Sequence, residues 1–221
     1  MRVAVFVSGR GSNLQALMDA ADSGFLKSEI VLVLSNVRDA PALERAARRG
    51  IRCEFIESKE FEGVAAERLK EERVDLVCLA GFMRVLSGEF IRRVGVPILN
   101  VHPSLLPAFP GLRAQRQALA HGVRITGATV HLVDERVDHG PIVIQAAVPV
   151  LQDDDEESLS ERVLREEHRI YPLAVRWFAE GRVRLEGRRV ILHSTPHGRF
   201  SVRNPDASEP GDRPLSGEET A

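Results

Sequence analysis

Five short apolar runs punctuate the first hundred positions: Arg2–Val7, Ile30–Leu34, Arg52–Ile56, Val74–Leu79 and Pro97–Val101. Most of them run without polar alternation, which is the pattern of strands covered on both faces. Helical spacing fills the gaps, around Leu14, Leu17 and Met18, over Pro41–Arg49 with Gly50 as a stop, and over the charged amphipathic stretch Phe61–Glu72. The alternation predicts an α/β fold with a doubly wound, mostly parallel sheet and a Rossmann-like N-terminal half, residues 1–100.

The pattern changes after His102. Arg113–Gly122 reads as a helix, and Thr126–Val133 and Pro141–Val150 as antiparallel strands joined by an acidic loop. Ser158–Ala179 is a long helix striped by Leu159, Val163, Leu164, Ile170, Leu173, Val175 and Phe178. Gly181 ends it, and Val183–Leu185 with Val190–Leu192 predicts a small hairpin. Residues 194–221 hold four prolines and scattered apolar residues, which predicts a disordered tail behind one folded unit, 1–193.

Charge narrows the function classes. With 30 Lys+Arg against 32 Asp+Glu the chain carries −2, which argues against a nucleic-acid binder and gives no polybasic membrane patch. Its longest run free of Lys, Arg, Asp and Glu is the 19 residues Val94–Leu112, but Pro97, Pro103, Pro107, Pro110, Asn100 and His102 exclude a membrane helix. Cys53 and Cys78 lie in apolar stretches, as reduced core thiols do. Nothing near Met1 resembles a signal peptide, so a cytoplasmic protein is expected.

Three polar segments carry candidate chemistry. Ser8-Gly9-Arg10-Gly11-Ser12-Asn13 follows a strand and opens a helix, so its N–H groups can hold a phosphate. It is neither a dinucleotide fingerprint, because Leu14 takes the third glycine position, nor a P-loop, because the chain has no Gly-Lys pair. An ordinary turn capped by Ser12 or Asn13 reads equally well. In Leu99-Asn100-Val101-His102-Pro103, strand periodicity puts Asn100 and His102 on one face at a strand's C-terminal end. An amide donor beside an imidazole suits a carbonyl becoming an oxyanion. Asp134-Glu135-Arg136-Val137-Asp138-His139-Gly140-Pro141 reads as a solvated turn unless one of its carboxylates faces His102. His193 and His197 have metal-like spacing, but Pro196, Gly198 and the lack of a Cys or carboxylate cluster argue against a metal.

Taken together, Phe6–Leu14, Ala80-Gly81-Phe82-Met83-Arg84-Val85-Leu86, Asn100–Pro107 and Asp138–Pro141 resemble the folate-dependent phosphoribosylglycinamide formyltransferases over roughly residues 1–192. The resemblance implies transfer of a formyl group from 10-formyltetrahydrofolate, as co-substrate, to the amine of glycinamide ribonucleotide in purine biosynthesis. It implies that Gly11, Ser12 and Asn13 hold the substrate phosphate and that Glu167 contacts the ribonucleotide. Met83, Arg84, Val85, Leu86 and Asn100 would line the folate site, with Arg84 meeting the glutamate tail. Asp134, Glu135, Arg136, Val137 and Asp138 would cover the pterin. Asn100, His102 and Asp138 match the catalytic trio, and residues 101–193 become the catalytic and folate half. No metal, nucleic acid or membrane enters, and a monomer or homodimer is expected. The resemblance also suggests a cis Leu106–Pro107 bond.

Two departures stand out. His139 occupies a position usually taken by glycine, and the 58–74 segment is short, leaving Arg68 as a weak counterpart for a folate-contacting arginine. Formyltetrahydrofolate hydrolases carry an extra N-terminal domain, whereas strand one here begins at Arg2. Methionyl-tRNA formyltransferases carry a longer RNA-binding C-terminus. A non-catalytic nucleotide-binding module would leave Asn100, His102 and Asp138 without purpose.

Overall fold

The computed structural model describes residues 1–194. Seven strands form the main sheet in the order β3-β2-β1-β4-β5-β6-β7: β1 Arg2–Val7, β2 Glu29–Ser35, β3 Arg52–Phe55, β4 Leu76–Leu79, β5 Ile98–His102, β6 Ile125–Leu132 and β7 Ile142–Pro149. The first five are mutually parallel, and β6 and β7 continue the sheet antiparallel. Helices α1 Ser12–Asp22, α2 Pro41–Arg48, α3 Phe61–Glu71, α4 Gly88–Val94, α5 Ala114–His121 and α6 Glu156–Ala179 flank it, and β8 Val183–Glu186 pairs with β9 Arg189–Leu192 as a separate hairpin.

The unalternating strands are buried on both sides, as their composition requires. Along β1, Val3, Val5 and Val7 pack with Leu14, Leu17, Ala42 and Tyr171, while Ala4 and Phe6 point the other way toward Phe61, Leu69 and Phe90. Phe6 and Phe61 meet edge to face at 5.2 Å. Cys78 lies inside the first core, where burial pushes its thiol up to about 12; both cysteines are free.

Most boundaries match the sequence expectation within two residues. Helix α4 is an addition: among its residues only Phe90 is fully buried, with Ile91 and Val94 half-buried beside it, and its start depends on the Ser87 hydroxyl accepting from Phe90 N–H at 3.0 Å. The start of α1 also differs. Its cap is Gly11, left-handed at φ 78°, and neither Ser12 nor Asn13 caps it. Glycine takes that conformation without penalty, and a Cβ there would lie 2.7 Å from the Ala42 Cβ.

Helix α6 is tied to the sheet by the Tyr171 hydroxyl, which lies 3.0 Å from the Leu79 carbonyl and 3.1 Å from that of Leu99. Its N-terminus is fixed by a capping box between Asp155 and Ser158 and by Arg162 on Asp154 at 2.6 Å. The Leu106–Pro107 bond is cis, as the resemblance suggests. Among the described residues no helix is long and apolar enough to cross a membrane. The tail expectation, and that for His197, fall on 195–221, outside the described residues.

Candidate active site

Open α/β sheets place ligands beyond the C-terminal strand ends where the strand order reverses, here between β1 and β4. The loops leaving these strands are stapled together. Ser8 N–H donates to the Gly81 carbonyl at 3.2 Å, and Ser8 Oγ accepts from Met83 N–H at 2.8 Å while donating to Asn36 Oδ1 at 2.6 Å. The glycine-rich segment therefore shares one rigid edge with the Met83–Leu86 segment.

Beside that edge, Asn13 Nδ2 donates to Glu167 Oε2 at 2.7 Å, joining residues 154 positions apart. Asn13 Oδ1 is buried with no hydrogen-bond partner. Glu167 is buried, and this desolvation raises its carboxyl pKa despite the opposing Asn13 hydrogen bond. Burial thus works against its charged form. Replacing it with an amide of the same shape keeps an acceptor for Asn13 Nδ2 and takes away the need to ionise a buried group. Glu167→Gln is therefore expected to raise Tm by roughly 2–6 °C at pH 7. The gain should shrink as pH falls through the raised folded value and vanish below the unfolded value near 4.3, where the wild-type carboxyl is itself protonated. Thermal melts at pH 7 and pH 4 check it.

The Asn-x-His pair is placed by β5 and completed by β6. Antiparallel register sets Asn100 opposite His131 and His102 opposite Thr129. His131 donates through Nδ1–H to the Leu132 carbonyl at 2.8 Å, which leaves Nε2 to accept from Asn100 Nδ2 at 3.2 Å. Burial lowers the His131 pKa and favours that neutral, accepting form. His131 therefore fixes which way the Asn100 amide faces and leaves its second N–H free. Sequence reasoning missed His131, because its meaning lies in a cross-strand register that one strand alone does not encode.

His102 Nδ1 lies 3.3 Å from Asp138 Oδ2, so the carboxylate of the acidic loop does face the imidazole. Asp138 Oδ1 is 3.8 Å from His131 Nε2, and Gly111 N–H donates to Asp138 Oδ2 at 2.8 Å. The other nitrogen of His102, Nε2, donates to the Phe109 carbonyl at 2.9 Å. Both ring nitrogens thus face oxygen acceptors. Thr129 fixes the intervening turn by donating to the Ser104 carbonyl at 2.7 Å and accepting from Leu106 N–H at 3.1 Å.

The outer positions divide. Met83, Val85 and Val137 are 70%, 67% and 55% exposed, apolar side chains left uncovered by the described residues. Leu86 differs: its side chain is buried in the core with Phe90, so only its backbone can face a ligand. Arg84 turns toward α3, where it meets the Ser58 carbonyl and lies 3.6 Å from Glu62. Glu135 leans over Gly88 and pairs with Arg92, while Arg136 is exposed. Arg68 binds Glu54 at 2.7 Å and Glu71 at 3.1 Å, so its guanidinium is already engaged by two carboxylates. Among the described residues no group of three or more His, Cys, Asp or Glu is placed to hold a metal.

A family model described as formyl transferase matches residues 1–175. The phosphoribosylglycinamide formyltransferase of Escherichia coli is 43% identical over 191 residues, 84% of this chain and 90% of that protein. The trifunctional purine biosynthetic protein adenosine-3 of Drosophila melanogaster is 49% identical over 81% of this chain, which spans only 14% of that relative. A crystal structure of glycinamide ribonucleotide transformylase 1 from Symbiobacterium toebii superposes with a TM-score of 0.84 at 51% identity, covering 87% of this chain and 93% of that one.

Proposed function

The chain belongs to the formyl transferase family, and on that premise we propose that it transfers the formyl group of 10-formyltetrahydrofolate to the amine of glycinamide ribonucleotide, a step of purine biosynthesis in the cytoplasm. The observation that carries the reading is the convergence of Asn100, His102 and Asp138 at the strand ends, in a chain that also pairs Asn13 of α1 with Glu167 of α6.

The ribonucleotide phosphate lies against the N–H groups of Gly11, Ser12 and Asn13 at the start of α1, where the helix dipole favours an anion. The buried Asn13 Oδ1 and Glu167 supply polar groups for the rest of the ribonucleotide. The folate enters along Met83, Val85 and Val137, which cover its apolar faces. Backbone groups of Arg84, Leu86 and of the loop from Asp134 to Asp138 meet its polar edges. The Arg84 charge reaches the glutamate tail only by leaving Glu62.

The free amine then attacks the formyl carbon, making a tetrahedral centre with a negative oxygen and a positive nitrogen. The Asn100 N–H left free by His131 donates to that oxygen. His102 Nε2–H exchanges the Phe109 carbonyl for it, with Asp138 balancing the imidazolium. Asp138 accepts the proton released by the amine and returns it to the departing folate nitrogen, the bond to which breaks as the carbonyl re-forms. Steady-state turnover with glycinamide ribonucleotide and 10-formyltetrahydrofolate tests the reading. Formyl-group release to water at the same rate without the ribonucleotide would overturn it in favour of a hydrolase.

A further inference from the structure

The loop that carries Asp138 is tied to α4 only through Glu135, which pairs with Arg92 among the described residues. Glu135, Arg136 and Val137 are exposed, and Asp138 is left-handed at φ 50°, a conformation costing a non-glycine residue roughly 1 kcal/mol or more. Such a residue persists only where its surroundings over-determine it. Gly111 N–H and His102 hold its side chain. Its backbone needs a second anchor.

That anchor comes from the hairpin. Arg188, in the turn between β8 and β9, donates through Nη2 to the His139 carbonyl at 2.6 Å, the residue directly after Asp138. His139 Nδ1 donates to Asp134 Oδ2 at 2.9 Å, and Arg188 Nη1 lies across the imidazole, 3.1 Å from Nδ1 and 3.2 Å from Nε2. Asp134 closes the loop on itself through Arg136 N–H at 2.9 Å. Burial raises the Asp134 pKa, but the bonds from His139 and Arg136 and the nearby Arg188 charge outweigh it and hold the carboxyl below its usual range. The departure noted in the sequence, His139 in place of glycine, is thus the middle member of a three-residue clasp.

We propose that Arg188 is a positioning residue for the folate-side loop: through His139 and Asp134 it holds the segment 134–139, and with it Asp138, in its binding conformation before the folate arrives. Preorganisation of this kind raises affinity by removing the ordering cost of the loop. The inference rests on the formyl-folate reading, so its test includes a measurement that needs no substrate.

Arg188→Ala should raise KM for 10-formyltetrahydrofolate about tenfold, the scale of one charge-assisted hydrogen bond. KM for glycinamide ribonucleotide and Tm should stay unchanged. Arg188→Lys keeps one donor for the His139 carbonyl and should recover part of the loss. His139→Gly should match Arg188→Ala, and the double variant should be no worse than either single one, because both break the same clasp. Arg189→Ala, on the same hairpin, should behave as wild type. In the ligand-free protein, amides of 134–140 should exchange faster in Arg188→Ala than in wild type. Unchanged exchange and unchanged folate KM would overturn the proposal, as would equal loss toward both substrates with a lowered Tm. If the wild type fails to turn over these substrates, the functional reading falls, while the exchange comparison still decides whether the clasp orders the loop.

Discussion

Asp138→Asn is expected to lower kcat by on the order of 10²–10³ with little change in Tm. In the proposed mechanism its carboxylate has two jobs that an amide cannot do: facing the His102 imidazole as an anion across 3.3 Å and accepting the proton of the attacking amine. Removing one oxyanion-type interaction costs about that factor in other enzymes, and disturbing a proton relay costs similarly. His102→Ala should lose as much. The double variant should lose little more than either alone, because the two groups act as a unit. Asparagine is well suited to the left-handed backbone at position 138 and can still accept from Gly111 N–H, so the loop should persist. Rates measured at saturating concentrations of both substrates, with melts alongside, check the prediction. Turnover near wild type in Asp138→Asn would remove that residue from the chemistry.

The second large effect belongs to Gly11. A valine there would block the approach of a phosphate to the loop. It also costs the fold, because the position is left-handed and a Cβ would meet Ala42 of α2 at 2.7 Å. Left-handed backbone and overpacking together cost roughly 2–5 kcal/mol, more for a β-branched residue. Gly11→Val should therefore lower Tm by on the order of 10 °C as well as weaken ribonucleotide binding. Gly9→Ala separates the two effects, since a Cβ there meets nothing within 4 Å. It should leave Tm unchanged, and any loss of ribonucleotide affinity then reports the approach of the phosphate itself. Titrations with the ribonucleotide and with the folate, beside melts of both variants, are the measurements.

What could be read from the sequence follows a physical rule. Strands such as β1 and β2 were legible because burial on both faces demands unbroken apolar runs, and Asn100 with His102 because a period of two fixes their shared face. Helix α4 was not, since only Phe90 is fully buried on it and its start is a single hydroxyl cap. The cap at Gly11 depends on how closely α2 approaches, which no local pattern records. The pairing of Asp138 with His102 needed the family resemblance, for the loop alone looks like any polar turn. His131 and Arg188 stayed hidden for the same reason: each matters through a partner distant in sequence, His131 across a strand register and Arg188 across 49 residues to His139. The reverse error occurred at Leu86 and Arg68, where a position was legible but the direction of its side chain was not.

The hydrogen bond from Asn13 to Glu167 joins the second helical residue of α1 to the long helix that completes the sheet's cover. Its two ends leave the ribosome far apart in time. At translation speeds of about 5–20 residues per second, Asn13 waits on the order of ten seconds or more before Glu167 is even synthesised. Strands β1 to β5 and their helices are complete well before then and can pair by local crossovers, yet Asn13 beside the glycine-rich loop still lacks the carboxyl it bonds. Contacts of such long sequence separation are closed late, because the loop-closure entropy must be overcome first. In refolding from denaturant, helix content should accordingly return ahead of ribonucleotide binding. A ribosome-bound fragment ending before α6 would hold most of a sheet and no complete site.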